Sequence, residues 1–247
     1  MEFEAVYIVP KSGRLKVLGT IRKVGSLGAL AVFLEGMGER CSKIAVLRSN
    51  SGAWIEIPKR TKAKQRPKIR VKFRFEASTA DDFSEMFYFC NGLCEVMGLD
   101  THNGTDFSGM FEGCSNLAGV PLLDTSNGTD FSGMFSDCPN LASVPLLDTR
   151  NGENFSQMFR GCKSLSSVPA LDTGNGKHFG AMFWDCSKLE SVPLLDTSNG
   201  TDFSGMFYGC SNLAGVPLLD THNGKNFRGM FEGCPMVPEW AKGLNVA

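Results

Sequence analysis

The sequence predicts an α/β solenoid of about seven 24-residue coils, with one parallel strand and one short helix per coil, after a small β-rich N-terminal domain. The main observation is a period of 24 residues that recurs without a slip. The units are also nearly identical, since residues 197–220 differ from residues 101–124 only at Ser198 and Tyr208. The periodic residues are Cys90, Cys114, Cys138, Cys162, Cys186, Cys210 and Cys234, with Phe83, Phe107, Phe131, Phe155, Phe179, Phe203 and Phe227.

The helix is predicted from four apolar residues at spacings i, i+3, i+4 and i+7, which fall on one helical face. These residues are Phe107, Met110, Phe111 and Cys114. Asp106 precedes them as an N-cap, and Gly113 marks the end of the helix. Two turns of helix do not survive alone, so this element requires packing against its neighbours.

The strand is predicted from Leu117, Val120 and Leu122, read as an extended segment with alternate side chains turned inward. An Asn-Gly turn follows at Asn127. Stacking the coils about 4.8 Å apart would pair the strands in a parallel sheet and stack the apolar side chains in rows. The predicted core ladder consists of Phe107, Met110, Phe111, Cys114, Leu117 and Val120, with their equivalents.

The repeat Leu-x-x-Val-Pro-Leu-Leu-Asp-Thr-x-Asn-Gly-x-x-Phe-x-x-Met-Phe-x-x-Cys-x-x-Leu resembles that of the BspA-type leucine-rich-repeat surface proteins, over about residues 79–240. Similar Asn-Gly arrays occur in bacteriophage tail-associated proteins. The resemblance implies a right-handed leucine-rich-repeat solenoid with a binding role, as in adhesins, and no enzymatic activity. The N-terminal third lies outside the resemblance.

Charge divides the chain into two predicted domains, residues 1–76 and residues 77–247. The first holds 17 Lys/Arg against 6 Asp/Glu, and the second holds 8 against 20. Their net charges of +11 and −12 make the two parts electrostatically unlike. Short apolar runs between Gly, Ser and Pro predict a β-rich fold for residues 1–76.

Caps are expected at both ends of the array, because an open edge invites aggregation. The alternating segment Lys68–Phe75 is predicted to form the strand that covers the first edge. At the other end Pro235 breaks the repeat, and Trp240 falls in the position of the repeated valine. We therefore expect Trp240 to belong to a C-terminal cap.

A basic segment precedes the repeats. It indicates contact with a polyanion or an acidic partner, although a solvated loop also explains it. Through it the N-terminal domain would attach to other virion or envelope proteins. The candidate docking residues are Lys59, Arg60, Lys62, Lys64, Arg66, Lys68 and Arg70.

Variable positions in the repeat offer candidate binding residues. Trp184 and Tyr208 occupy one slot in adjacent coils, an exposed aromatic pair of the kind that stacks on sugar rings, although drift between duplicated repeats also explains them. Arg160 occupies the same slot in the coil before Trp184, and His178 occupies the variable slot that directly precedes the repeated phenylalanine. A proline row would suit a repetitive partner such as a polysaccharide. It consists of Pro121, Pro145, Pro169, Pro193 and Pro217.

Repeated polar residues have two interpretations. The aspartate row could bind a divalent cation, but capping of the turn that follows explains it without an ion. The repeated asparagines of the Asn-Gly turns, here called the Asn row, are expected to make internal hydrogen bonds; they are Asn103, Asn127, Asn151, Asn175, Asn199 and Asn223. The seven repeat cysteines are expected to be free buried thiols. The aspartates are Asp100, Asp124, Asp148, Asp172, Asp196 and Asp220.

A non-enzymatic binding protein is the predicted function. The three histidines lie in different coils without a nucleophile, and no phosphate loop or zinc motif is present, so neither catalysis nor a cofactor is expected. Without a secretory signal or membrane span, a phage virion (tail) component that binds a host-surface glycan or protein is favoured. The alternatives are a bacterial cell-surface adhesin and an intracellular nucleic-acid-associated protein acting through residues 59–74.

Overall fold

The structure is a computed structural model. It describes residues 2–8, 13–18, 27–34, 46–49, 52–57, 68–75 and 81–244.

The described strands of the N-terminal third lie in two antiparallel sheets, as its apolar runs predicted. The four-stranded sheet has the order β3-β6-β1-β7, and the three-stranded sheet has the order β2-β5-β4. The strands are β1 (Glu2–Ile8), β2 (Gly13–Leu18), β3 (Leu27–Leu34), β4 (Val46–Ser49), β5 (Gly52–Ile57), β6 (Lys68–Phe75) and β7 (Leu93–Met97).

Strand β1, rather than β6, joins the N-terminal sheet to the repeats. β1 pairs with β6 on one side and with β7, which belongs to the first repeat, on the other. The expectation that β6 covers the first coil is therefore wrong, although β6 is a strand. The physical reason is that β1 is apolar on both faces, since Ala5, Val6 and Tyr7 are all buried. Phe3 stacks on Phe73 at 4.6 Å and also meets Phe87 of the first repeat at 5.9 Å.

The predicted helix is wrong, because residues 107–114 form successive turns. Met110 N–H donates to Phe107 O at 3.2 Å, and Cys114 N–H donates to Phe111 O at 3.1 Å. These bonds span three residues instead of four. Gly109 has φ +57° and Gly113 has φ +72°, the left-handed conformation that a type II turn requires at its third position. The residues at i, i+3, i+4 and i+7 thus face the core from successive turns, as they would have faced it from one side of a helix.

A hydrogen-bond ladder between coils lies on this turn side. Phe107 N–H donates to Asp130 O at 2.9 Å and Gly109 N–H to Ser132 O at 2.8 Å. Alternate residues therefore bond to the next coil while the residues between them close turns within their own coil. Parallel bridges repeat at the same slot along the array, joining Asp82, Asp106, Asp130, Asn154, His178, Asp202 and Asn226 in succession.

The opposite side of each coil does not form the predicted continuous strand. Pro121 has no N–H to donate, and in the described part of the array this side holds only scattered bonds, such as Ala142 N–H to Ala118 O at 3.3 Å. The inward alternation assigned to Leu122 is also wrong. Leu122 is 75% exposed, and its neighbour Leu123 is the buried residue.

Rows of identical side chains fill the core. Phe107, Met110, Phe111, Cys114 and Leu117 are fully buried as predicted, while Val120 is partly buried. Equivalent phenylalanine rings stack nearly parallel, with Phe107 and Phe131 centroids 5.7 Å apart. The core thereby continues from coil to coil without interruption.

Cysteine suits its core slot because the thiol is small and donates one weak hydrogen bond. Cys138 Sγ–H donates to Phe111 O of the preceding coil at 3.0 Å, and the same bond recurs along the row. Burial raises the pKa of the Cys138 thiol to about 12. All eight cysteines in the described part of the chain are free.

The C-terminal cap forms as expected. Trp240 lies in a 3-10 helix, Glu239–Ala241, and packs edge-on against Phe231 at 5.9 Å. Its indole N–H donates to Val216 O at 3.3 Å. Within the described ranges, no helix has the length and apolar character that crossing a membrane requires.

Candidate functional site

A long groove follows the side of the array that lacks the hydrogen-bond ladder. We call it the leucine–aspartate groove, formed in each coil by the equivalents of Leu122, Leu123, Asp124 and Thr125. Its two halves extend from Leu99 to Asp172 and from Leu171 to His222. It therefore runs along the axis of the array and is lined by the same four positions in successive coils.

Exposed leucines form one wall of the groove. An isolated exposed leucine is ordinary, but a row of them in adjacent coils makes a contiguous apolar patch. The row is interrupted at Ala170, where the two halves of the groove meet. Its leucines are Leu122 (75% exposed), Leu146 (65%), Leu194 (72%) and Leu218 (70%).

Carboxylates form the second row. The segment alternates outward, inward and outward, so the Leu122 and Asp124 side chains face solvent while Leu123 is buried. Residues two apart on an extended backbone lie about 6.7 Å apart. The groove is thus bordered by parallel apolar and acidic rows with Leu123 and Thr125 at its floor.

Each groove aspartate caps the turn that follows it, which supports the turn-capping interpretation over an ion site. Asp124 Oδ1 accepts hydrogen bonds from Ser126 N–H at 3.1 Å and from the Ser126 hydroxyl at 2.7 Å. These bonds hold the pKa of the Asp124 carboxyl below its usual range, the hydroxyl having the larger effect. The hydrogen bond with His102 does the same for the pKa of Asp100. The Asp124 and Asp100 carboxylates therefore carry charge at and well below neutral pH.

Two further rows of hydrogen bonds hold the floor of the groove rigid. The buried Thr125 hydroxyl donates to Asp148 O of the next coil at 2.9 Å. Asn127 Nδ2 donates to His102 O of the preceding coil at 2.9 Å. The expected internal role of the Asn row is confirmed, and these bonds keep the groove positions in register from coil to coil.

Three groove carboxylates have basic neighbours in their own turn. Arg150 pairs with Asp148 at 2.7 Å, and His102 and His222 contact Asp100 and Asp220. Asp124, Asp172 and Asp196 are followed by serine or glycine at the same slot. The groove is consequently most acidic around these three aspartates.

The predicted aromatic pair does come together, on a different side of the array from the groove, but both residues are half-buried, so the expectation of an exposed pair is wrong. The Trp184 and Tyr208 rings stack at 3.9 Å with an interplanar angle of 12°. A Cβ atom at Gly205 would lie 2.6 Å from the Trp184 ring, so glycine makes room for the indole. Because the rings stack on each other, each occupies one face of its partner.

The remaining candidates lie apart from the groove. Arg160 and His178 are exposed, and neither lines it. The five prolines are half-buried, each directly before the position of an exposed leucine or Ala170. Of the docking residues, Lys68 is exposed and Arg70 contacts Glu4 at 3.0 Å. Lys59, Arg60, Lys62, Lys64 and Arg66 lie outside the described residues.

The leucine row is the feature that sequence reasoning missed. The Leu-Leu-Asp sequence recurs in four coils, and only one of two adjacent leucines in an extended segment can face the core. The regular recurrence of the pair was the available signal. The bulky apolar residue was assigned inward at Leu122, one position too early.

Two solved structures of leucine-rich repeat proteins are similar to part of this chain. One similar solved structure is a leucine-rich repeat protein from Eubacterium ventriosum, with 20% identity and a TM-score of 0.42 over 54% of this chain and 41% of that chain. The leucine-rich repeat protein of T. pallidum is 21% identical, with a TM-score of 0.38 over 60% of this chain and 73% of that one. The chain thus spans about two-fifths of the length of the Eubacterium protein.

A family model identifies the repeats. The model described as "Mycoplasma protein of unknown function, DUF285" matches residues 81–192 and 129–241. These matches together cover more than half of the chain, and the chain belongs to this family. A search of curated proteins finds no significant match.

Proposed function

We propose that this is a non-enzymatic binding protein whose repeat array binds a partner protein along the leucine–aspartate groove. The observation that supports this proposal is the row of four leucines that are 65–75% exposed. Large contiguous apolar patches on a protein surface mark interaction sites, because leaving them in water is unfavourable. The hydrogen-bonded floor supplies a preorganised surface, which lowers the entropy cost of binding.

A protein fits the groove better than a glycan does. Aliphatic walls match aliphatic and aromatic side chains, whereas sugar rings stack on flat aromatic faces. The Trp184–Tyr208 pair favours a glycan as the second candidate ligand, with the outer faces of the stacked pair as its contact surface. Nucleic acid is disfavoured as a ligand of the groove, because the groove carboxylates would repel the phosphates of the nucleic acid.

The place where binding occurs is also a proposal. A phage virion tail and a bacterial cell surface are both consistent with a rigid array attached through its N-terminal region to virion or envelope proteins. The family description names Mycoplasma, a cellular source, and this favours the cell-surface placement.

Selection from a display library of random twelve-residue peptides tests the proposed site. We expect selected peptides to bind the full chain and to lose about tenfold or more in affinity when Leu122, Leu146, Leu194 and Leu218 are changed to serine. The matched control changes the exposed Ala118, Ala142 and Ala214 to serine. The proposal is wrong if no peptides are enriched, or if they bind the leucine variant as tightly as the original chain.

A further inference from the structure

We propose that the segment bound in the leucine–aspartate groove is a cationic polypeptide in which Lys or Arg alternates with large apolar residues. This inference rests on the proposed function and adds the chemistry of the partner. It follows from the juxtaposition of two rows with different chemistry, one of exposed leucines and one of carboxylates.

The acidic row presents one carboxylate per coil in six successive coils, the residues being Asp100, Asp124, Asp148, Asp172, Asp196 and Asp220. The Asp100 side chain is 63% exposed and the Asp220 side chain 51%. Neighbouring carboxylates repel one another, since Asp148 opposes the lowering of the Asp124 pKa and Asp220 opposes that of Asp196. A bound cation would relieve this repulsion.

The counter-charge within the groove is incomplete. Arg150 is the arginine that lines the described groove, and it is paired with Asp148. Asp124, Asp172 and Asp196 have no cationic residue at the slot that Arg150 occupies. The two acidic stretches on either side of Arg150 are therefore the positions where a partner's lysines or arginines would lie.

An alternating, extended segment matches both rows at once. Successive side chains of an extended chain point to opposite sides, with a repeat of about 6.7 Å per two residues. Laid along the axis of the array, such a segment directs its apolar residues toward the leucine row and its cationic residues toward the acidic row, as at Leu122 and Asp124. The six carboxylates lie in six successive coils, so a segment of several extended residues is needed to reach all of them.

The chain offers two gain-of-function variants. Arg150→Ser reproduces the serine found at positions 126 and 198 and releases Asp148 from its ion pair. Ala170→Leu completes the leucine row between the two halves of the groove. Both changes lie at exposed positions.

The loss-of-charge variant is Asp124→Asn combined with Asp172→Asn and Asp196→Asn. An asparagine oxygen can still cap the turn, as Asn154 Oδ1 does when it accepts from Ser156 N–H at 3.1 Å. The substitution therefore removes charge and preserves the turn. A melting transition that stays cooperative and lies well above the temperature of the binding assay verifies this, although loss of the charged acceptors lowers the melting temperature at neutral pH.

The experiment measures the affinity of the full chain for three ten-residue peptides, which alternate Leu with Lys, Leu with Glu, and Ser with Lys. We expect the Leu–Lys peptide to bind most tightly. Its affinity should fall about tenfold in the triple Asp→Asn variant and rise about threefold in Arg150→Ser, with both effects weaker at high salt. The Ser–Lys peptide should bind weakly and should not respond to Ala170→Leu.

The inference is overturned if the Leu–Lys peptide fails to bind, or if the Leu–Lys and Leu–Glu peptides bind with equal affinity. A Leu–Lys affinity that is unchanged in the triple Asp→Asn variant would overturn it as well. The proposed function is tested separately. If library peptides bind the original chain but not the variant with four Leu→Ser changes, a protein partner still binds in the groove, even when no preference for positive charge is found.

Discussion

At the scale of single residues, the backbone conformation of two slots shapes every coil. The Gly109 slot and the Gly113 slot have positive φ in all seven repeats. Glycine adopts this conformation without strain, whereas other residues pay about 1–2 kcal/mol for it. Six non-glycine residues nevertheless occupy these slots: Glu85, Phe89, Asp137, Gln157, Ala181 and Asp185.

Ala181→Gly should stabilise the protein, because Ala181 has φ +54° where four equivalent positions hold glycine. The relief of backbone strain exceeds the entropy cost of glycine. We therefore expect the free energy of unfolding to rise by about 0.5–1 kcal/mol and the melting temperature by roughly 2–3 °C. Ala142→Gly is the matched control, since Ala142 is exposed and has no positive φ. It should lower the melting temperature. A lower melting temperature for both variants would show that the backbone at Ala181 is not strained.

At the scale of the repeated element, the aspartate-capped turn links local structure to the groove. Each groove aspartate accepts from the backbone N–H two residues on, which fixes the turn and points the carboxylate outward. The same residue thus serves the fold and the proposed binding surface. Turn chemistry was predictable from Asp-Thr-x-Asn-Gly, since these residue types form such turns.

Acid should destabilise the protein through these turns. The folded-state pKa values of Asp124 and Asp196 are lowered by hydrogen bonds from Ser126 and Ser198, respectively, whereas an aspartate in the unfolded chain has a pKa of about 3.9. Their contribution is therefore complete above about pH 4 and is lost as pH falls through the folded-state values.

Melting curves between pH 7 and pH 2.5 measure this effect. The Asp124→Asn/Asp196→Asn variant should lose less stability below about pH 4 than the original chain, because its caps do not titrate. Glu190→Gln controls for the loss of one exposed carboxylate. Identical acid profiles for the original chain and the double variant would contradict this account of the turns.

At the scale of the whole molecule, the period predicted the stack of repeats and the core rows, because identical residues at a fixed spacing can bury only against their own copies. The apolar pattern did not distinguish a helix from successive turns, since Phe107, Met110, Phe111 and Cys114 face the core in either structure. Gly109 and Gly113 were the evidence for turns. The outward leucine row was missed because strict alternation was continued from Val120 to Leu122, whereas the residue that faces inward is Leu123.

Hydrogen exchange on the full chain, with and without a bound peptide from the library, tests the central claim most directly. In the described array, the N–H groups of Leu122, Leu123 and their equivalents donate to no other described group, whereas those of Phe107 and Phe111 donate to the next coil. Binding in the leucine–aspartate groove should slow exchange in residues 118–124, 142–148, 190–196 and 214–220. Exchange of the N–H groups in the hydrogen-bond ladder between coils should not change. Slowing confined to the segment around Trp184 and Tyr208, or absent from the groove, would contradict the claim.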